Sequence, residues 1–190
     1  MPKQVDHEQY RKQLLGKSFE CFANEGYASM TMRELARHLN VSTGTLYHYF
    51  PSKQDLFEQL VDFLCNQDTR MASNLLLQPL NFNQQIEALF AFAAMHQDYF
   101  LKQTMIWMDF VRQHGLETAL KSPAVDRYNK KSREWIGTYL GTNDQALITF
   151  VSCFLNGLLL EIGFTNPQVS FEEQGALFAR MLRSHLHKED

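Results

Sequence analysis

The chain has 190 residues, of which 45% are hydrophobic and 13% aromatic, so it can bury a substantial core and is not a disordered tail. The formal charge of −3 and the pI near 6.2 exclude a uniformly basic protein. A local basic patch could still bind nucleic acid, because binding does not require a basic average.

The three cysteines, Cys21, Cys65 and Cys153, are odd in number and far apart, without any CxxC spacing. This pattern argues against a disulfide framework or a zinc site and favours a reducing cytoplasm. The polar, charged N-terminus predicts no signal peptide. The longest apolar run, 146–160, is shorter than the ~20 residues of a membrane span, so we expect no membrane segment. We predict no metal and no cofactor.

The first two predicted helices are bounded by local signals. A helix over about residues 6–24 ends at Gly26, where a residue that tolerates positive φ is needed. Thr31 and Glu34, three positions apart, form a capping box at the start of the second helix. The buried stripe of this second helix comprises Met32, Leu35, Ala36 and Leu39.

A tight turn and a third short helix follow. Asn40 tolerates the left-handed conformation that such a turn needs, and Ser42 caps the next helix. Pro51 ends that helix and Ser52 caps the fourth. Two short helices joined by a tight turn, the second of them polar on one side, indicate a helix-turn-helix that places its second helix in the DNA major groove.

The remainder of the chain has helical periodicity throughout, with almost no strand signal. The fourth helix should reach the low seventies, and a break is expected over 78–83. Later helices are predicted over residues 84–96, 99–114, 124–140, 144–164 and 171–187. The predicted fold is therefore all-α with about nine helices: a three-helix head over residues 1–54 and a larger helical body over residues 55–190.

The head resembles the TetR family of bacterial transcriptional regulators over about the first quarter of the chain. The matching residues are Phe19-x-x-Phe22-Ala23-x-x-Gly26-Tyr27, Thr31-x-x-Glu34-Leu35-Ala36 and Val41-Ser42-x-Gly44-Thr45-Leu46-Tyr47-x-Tyr49-Phe50-x-Ser52-Lys53-x-x-Leu56. Asn40 and Leu39 depart from the family's usual Gly and Ala. The resemblance implies DNA binding by the head, and a body that binds a small molecule and dimerises through its last two helices.

The resemblance and the side-chain chemistry together predict the DNA contacts. These residues are Thr31, Arg33, Thr43, Gly44, Thr45, Tyr47, His48, Tyr49 and Lys53. Gly44 allows the backbone to approach the groove closely, and the Thr43 and Thr45 hydroxyls suit base edges. Tyr47, Tyr49 and Lys53 suit phosphate oxygens. Packing inside the head is the alternative role for Tyr49.

Two heads related by a twofold axis would read a palindrome, so we expect a homodimer. The candidate interface lies on the last two helices and comprises Phe150, Phe154, Gly157, Leu158, Phe178, Met181 and Leu182. Gly157 would allow close helix approach, and the alternative is that both helices bury only intramolecular surface.

The middle helices are rich in aromatic and methionine side chains, which favour a lipophilic or aromatic effector over a sugar or a phosphate. Core packing is the alternative for each residue taken singly. The candidate effector contacts are Phe92, His96, Tyr99, Gln103, Trp107, Tyr128, Trp135 and Asn156.

The sequence thus predicts a dimeric regulator, more plausibly a repressor, that binds a palindromic operator in double-stranded DNA and is released by a small effector. A regulator controlled by a protein partner, or an activator, remains open. No phosphate loop, nucleophile elbow or paired-histidine metal motif supports an enzyme.

Overall fold

The computed structural model describes residues 6–186, with side chains described as far as residue 182. Within that range the chain forms helices and no strand, which confirms the all-α prediction. The ten α-helices among residues 6–186 are α1 (His7–Glu25), α2 (Met32–His38), α3 (Thr43–Tyr49), α4 (Lys53–Ala72), α5 (Phe82–Met95), α6 (Gln97–His114), α7 (Leu116–Leu120), α8 (Pro123–Leu140), α9 (Gln145–Leu160) and α10 (Phe171–Leu186). A 3₁₀ turn occupies Ser73–Leu77, and a π turn, Glu161–Thr165, extends α9.

The predicted boundaries of α1 and α2 are confirmed by their caps. Asp6 accepts hydrogen bonds from two backbone N–H groups at the start of α1, and Gly26 ends it with a φ of 85°. At α2, the Thr31 hydroxyl accepts from the Glu34 N–H while the Glu34 carboxylate accepts from the Thr31 N–H. These bonds satisfy backbone groups that a helix end would otherwise leave unpaired.

The turn between α2 and α3 also follows the prediction. Asn40 has a φ of 56° and is the residue other than glycine with positive φ in the described part of the chain. Ser42 Oγ accepts from the Thr45 N–H at 2.9 Å, and Ser52 Oγ accepts from the Asp55 N–H at 3.0 Å. Local capping therefore determines where α3 and α4 begin.

Some boundaries differ from the prediction. Between the predicted helices over 99–114 and 124–140 the chain forms a further five-residue helix, α7, directly after Gly115. The sequence pattern missed α7 because it is too short for a hydrophobic period. Helix α5 begins at Phe82 because Asn81 and Gln84 form a second capping box. The predicted end of the last helix, His187, lies outside the described residues.

The chain divides into two compact units. Unit 1 comprises residues up to 67 together with 102–129, and unit 2 comprises residues 68–101 together with 130 onwards. The helix-turn-helix lies in unit 1, so the head is accompanied there by the second half of α6, by α7 and by the start of α8. The predicted division at residues 54 and 55 stays a prediction.

Each unit has an aromatic core. In unit 1, Tyr27 is fully buried between Phe22, Phe57 and Phe110, and the Phe57 and Phe110 rings stack 3.7 Å apart. In unit 2, Phe178 of α10 lies against Phe90, Phe150 and Phe154. The buried rings among them, Tyr27, Phe57 and Phe110 in unit 1 and Phe90 and Phe178 in unit 2, stabilise each unit, because aromatic side chains contribute the largest apolar areas to a core.

Candidate nucleic-acid interface

Helix α3 presents one polar face to solvent. Leu46 and Phe50 are fully buried, as predicted, and they attach the helix to the rest of the head. On the opposite side Tyr47 is 48% exposed and His48 is exposed. Thr43 and Thr45 are half-buried, and the Thr45 hydroxyl lies 2.8 Å from Ser42 Oγ, so it also takes part in the helix cap.

Gly44 stands on the exposed part of α3, and packing within the chain does not require a glycine there. A Cβ at this position would meet only Ser42 Oγ, at an ordinary contact distance of 3.7 Å. Its φ is not in the left-handed region. A glycine without an internal reason in a helix costs stability relative to alanine, which fits a need for close approach by something outside the chain.

Tyr49 does not lie on this exposed face. It is 7% exposed, and its hydroxyl hydrogen-bonds to His7 Nδ1 of α1 at 2.8 Å. Its ring also packs against Tyr10. The structure therefore favours the packing alternative for Tyr49, and the predicted phosphate contact does not fit this position. Sequence reasoning missed His7 because it lies 42 residues from Tyr49.

Lys53, also predicted to bind phosphate, is engaged within unit 1. Its ammonium donates to the carbonyl oxygens of Tyr27 and Met30, at 2.9 and 3.0 Å, and to Gln113 Oε1 at 3.1 Å. It also lies 4.3 Å from the centre of the Tyr27 ring. Burial lowers the pKa of this ammonium below its usual value, and the Asp109 carboxylate opposes that effect. Because an ammonium has three donors, this arrangement leaves none for a phosphate.

We expect Lys53→Met to lower the free energy of unfolding by about 2 kcal/mol, because two carbonyls lose their donor in a half-buried position. Urea unfolding monitored by circular dichroism measures this change. Lys17→Met, at an exposed lysine of α1, is the control and should stay within about 0.5 kcal/mol of the wild type. If Lys53→Met left the stability unchanged but weakened DNA binding, the result would support the original prediction that Lys53 binds a phosphate.

The start of α2 holds the other two predicted contacts. Arg33 is exposed there and can reach a ligand. Thr31 already binds the Glu34 carboxylate through both its N–H and its hydroxyl, and these hydrogen bonds lower the pKa of Glu34. Because the negatively charged Glu34 carboxylate already occupies these donors, a phosphate bound at Thr31 is disfavoured. A phosphate contact by Arg33 stays a prediction.

Comparison with known proteins agrees with this helix-turn-helix geometry. The family model described as bacterial regulatory proteins, tetR family, matches residues 14–60. Residues 14–60 therefore form a TetR-family helix-turn-helix segment. Members of this family are transcriptional regulators and not enzymes.

Two relatives from Bacillus subtilis strain 168 show how far the likeness extends. The HTH-type transcriptional regulator PksA is 22% identical over 110 residues, which cover 58% of this chain and 54% of PksA. The uncharacterized HTH-type transcriptional regulator YhgD is 31% identical over 91 residues, covering 46% of this chain and 48% of YhgD. The matched segments thus span about half the length of these relatives.

The likeness of fold to a solved structure extends over most of the chain. The transcriptional regulator FadR from Bacillus subtilis, solved in complex with stearoyl-CoA, has a TM-score of 0.67 at 15% identity, covering 90% of this chain and 96% of FadR. At this identity the likeness establishes the fold alone.

The predicted effector residues fall in both units. In unit 1, Tyr128 donates to Gln103 at 3.4 Å, and Trp107 stacks beside Phe57 and Phe110. The residues in unit 2 are Phe92, His96, Tyr99, Trp135 and Asn156.

In unit 2 the aromatic candidates contact neighbouring side chains of the same unit. Phe92 and His96 have ring centres 4.7 Å apart. Trp135 stacks on Tyr139 at 5.1 Å, and its buried indole N–H has no hydrogen-bond partner among the described residues. Tyr99 donates to Asp68 at 2.7 Å. Asn156 is exposed on α9, which does not suit a contact with an enclosed ligand.

The predicted dimer residues divide by exposure. Phe150 is 48% exposed and Met181 58%, and Gly157 is also exposed. Leu158, Phe178 and Leu182 are instead buried in the core of unit 2, so they have no surface left for a partner. Phe154 is half-buried against Phe90 and Phe178. Helical period alone could not separate the two sides of these helices, because both sides are apolar.

Helix α9 with its π turn, Gln145–Thr165, is longer than the apolar run in the sequence suggests. Among the described residues it is the helix that is long and apolar enough to cross a membrane by length and composition. Its most apolar stretch has a mean hydropathy of 1.9, and 28% of that stretch is buried within the chain. Length and composition do not distinguish a span from a helix that packs against another protein chain.

Proposed function

We propose that this TetR-family protein is a dimeric, ligand-responsive transcriptional regulator, acting as a repressor, that binds a palindromic operator. The observation that carries the proposal is the exposed face of α3, on which Gly44, Tyr47 and His48 stand free of core packing. An exposed helix of this kind, anchored by buried residues on its other side, suits insertion into the major groove.

The base-reading and phosphate-binding roles follow from side-chain chemistry. The Thr43 and Thr45 hydroxyls suit base edges, and Tyr47, His48 and Arg33 suit phosphate oxygens. A single head makes few base contacts, so useful specificity needs two heads on a twofold axis.

The proposed dimer interface is the solvent-facing side of α9 and α10. Three large apolar side chains there, Phe150, Leu177 and Met181, are each more than two-fifths exposed. Gly157 lies on the same helix as Phe150 with no atom within 4 Å of its ideal Cβ position, so a partner helix could approach closely. Such a cluster on a helix that is itself strongly apolar favours a buried protein contact.

The proposed effector is small and lipophilic or aromatic. The half-buried rings Phe92, Trp107 and Trp135 support it, and the indole N–H of Trp135 could donate to a polar group on such a ligand or to a water molecule. FadR, solved with stearoyl-CoA, is a TetR-like neighbour whose ligand is also lipophilic in part. Effector and DNA would oppose each other's binding equally, as linkage requires. Control by a protein partner, or activation, is the alternative.

Selection of bound sequences from random duplex DNA tests the proposal. We expect the purified protein at near-physiological salt to recover one palindrome, and Tyr47→Ala to lose it. Leu116→Ala, at an exposed apolar residue of α7, is the control and should recover the same sequence. A well-folded protein that recovers no motif, with or without candidate lipophilic ligands, would contradict DNA regulation by this head.

We expect Met181→Glu to weaken dimerisation at least about a hundredfold, because two glutamates brought together at an apolar contact would each lose solvation. Sedimentation equilibrium over a range of protein concentrations measures the change. Leu120→Glu, at a 59% exposed position of α7, introduces the same charge and should leave the association unchanged. Equal dissociation constants for the wild type and Met181→Glu would place the interface elsewhere.

A further inference from the structure

Five side chains join the first turns of α1 to the end of α3, and we refer to them as the histidine cluster: His7, Tyr10, Arg11, His48 and Tyr49. Tyr49 is buried at the centre, bonded to His7 Nδ1 at 2.8 Å, with the Tyr10 ring 5.5 Å and the Arg11 guanidinium 5.9 Å from its ring centre. The His48 ring meets Tyr49 edge-on at 5.1 Å, and the His7 and His48 ring centres are 6.4 Å apart.

The outer part of this histidine cluster faces solvent and can be positively charged. His7, Arg11 and His48 are exposed, whereas Tyr49 is 7% exposed. The nearby carboxylates are already engaged along α1: Asp6 caps the helix, and Glu8 pairs with Lys12 at 2.6 Å. His48 stands next to Tyr47 on the exposed face of α3, so a phosphate bound by that face would also come close to His7.

The hydrogen bond to Tyr49 also orients His7. When the Tyr49 hydroxyl donates to Nδ1, the neutral imidazole carries its proton on Nε2. When the ring is protonated, Nδ1–H can donate to the same hydroxyl oxygen, so the bond survives. In both states Nε2–H is a donor that the cluster does not use. His7 can therefore gain charge without losing its position.

We propose that His7 and His48 bind one phosphate of the DNA backbone together, and that operator binding takes up protons at this pair. The proposal rests on the proposed function, since it needs α3 to face DNA. Two imidazoles with ring centres 6.4 Å apart can direct N–H groups at different oxygens of one phosphate. Arg11, on the same surface, adds a permanent positive charge.

The direction of the pH effect follows from linkage. Imidazole is the side chain that changes charge between about pH 5 and 8, and a phosphate favours the charged ring over the neutral one. Protons are thus taken up on binding, and operator affinity rises as the pH falls from 8 to 6. The charged groups that accompany the pair are Asp6, Glu8, Arg11 and Lys12 on α1. The phenols of Tyr49 on α3 and Tyr10 on α1 are the other titratable groups packed at the pair.

The test is the dissociation constant of the selected operator duplex at pH 6 and pH 8, measured by fluorescence anisotropy at constant ionic strength. We expect the wild type to bind about tenfold more tightly at pH 6, since charge-assisted hydrogen bonds are about twice as strong as neutral ones. The double variant His7→Gln with His48→Gln should reduce this ratio to within about twofold. At pH 6 the slope of log K against log salt should become shallower by about 0.9 for each phosphate that a variant no longer neutralises.

His38→Gln is the matched control, because His38 is an exposed histidine of α2 outside the cluster, and it should keep the full pH effect. The double variant should lose more affinity at pH 6 than at pH 8, whereas a merely structural role would weaken binding equally at both pH values. Operator binding that is independent of pH, or a pH effect that survives the double variant, would overturn this inference alone. A folded protein that binds no DNA at any pH would overturn the proposed function as well.

Discussion

Gly44→Glu is expected to abolish operator binding while leaving the fold intact. Gly44 lies on the exposed face of α3, so a glutamate would place a carboxylate toward the phosphate backbone. Like charges brought together in an interface cost several kcal/mol, and we expect affinity to fall at least about a hundredfold. The fold should tolerate the change, because the new Cβ would have only an ordinary contact at 3.7 Å with Ser42 Oγ. Glutamate is also favourable near the start of a helix.

Two further variants distinguish the effect of the added negative charge from the effect of a side chain that keeps the α3 backbone away from the DNA. Gly44→Ala adds only a methyl group, so reduced operator affinity in this variant would mean that the α3 backbone itself approaches the DNA closely. Ser132→Glu, at an exposed position of α8, makes the same change in net charge and should bind like the wild type. The measurements are operator titration by fluorescence anisotropy and thermal unfolding. Full operator affinity in Gly44→Glu would exclude α3 as the DNA-reading helix.

We expect Gly175→Ala to destabilise the fold more than any other addition of a single methyl group in unit 2. An added Cβ would lie 2.7 Å from both Cβ and Cγ of Phe90, which is fully buried. The Phe90 Cβ is attached to the α5 backbone and cannot rotate away, so α5 and α10 would have to separate. We expect the free energy of unfolding to fall by about 3 kcal/mol, at the upper end for overpacking.

Gly16→Ala is the matched control for this prediction. Gly16 is also inside a helix, but a Cβ there would meet only Phe63 Cζ at an ordinary 3.7 Å. The same substitution should therefore raise the free energy of unfolding by up to about 1 kcal/mol, as helix propensity dictates. Urea unfolding of both variants measures the difference. Equal effects at the two positions would mean that α5 and α10 can move apart without cost.

The helix-turn-helix was predictable because local contacts define its limits. The caps Thr31, Ser42 and Ser52 bond to groups three residues away, and Asn40 needs no distant partner to take up its turn. Leu46 and Phe50 are buried where the helical period places them. The α7 helix escaped detection because five residues carry no measurable period.

The candidate site was predictable only in part, because several of its residues are decided by distant neighbours. Tyr49 packs on His7, 42 residues earlier, and Lys53 reaches Gln113, 60 residues later. Tyrosine hydroxyls and lysine ammonium groups both suit phosphate binding. Nothing in the local sequence indicates that the Tyr49 hydroxyl and the Lys53 ammonium are already hydrogen-bonded within the chain. Phe178 and Met181 belong to the same helix, yet one is buried and the other 58% exposed.

The sequence by itself determined the helices and the capped helix-turn-helix, since these depend on contacts between residues three or four apart, and it also showed the TetR-family pattern over residues 14–60. Only the tertiary structure decided that Tyr49 and Lys53 are held inside unit 1, and which side of α9 and α10 faces solvent. A hydrophobic period shows that a helix face is apolar, but which element covers that face depends on chain segments that are far apart in sequence.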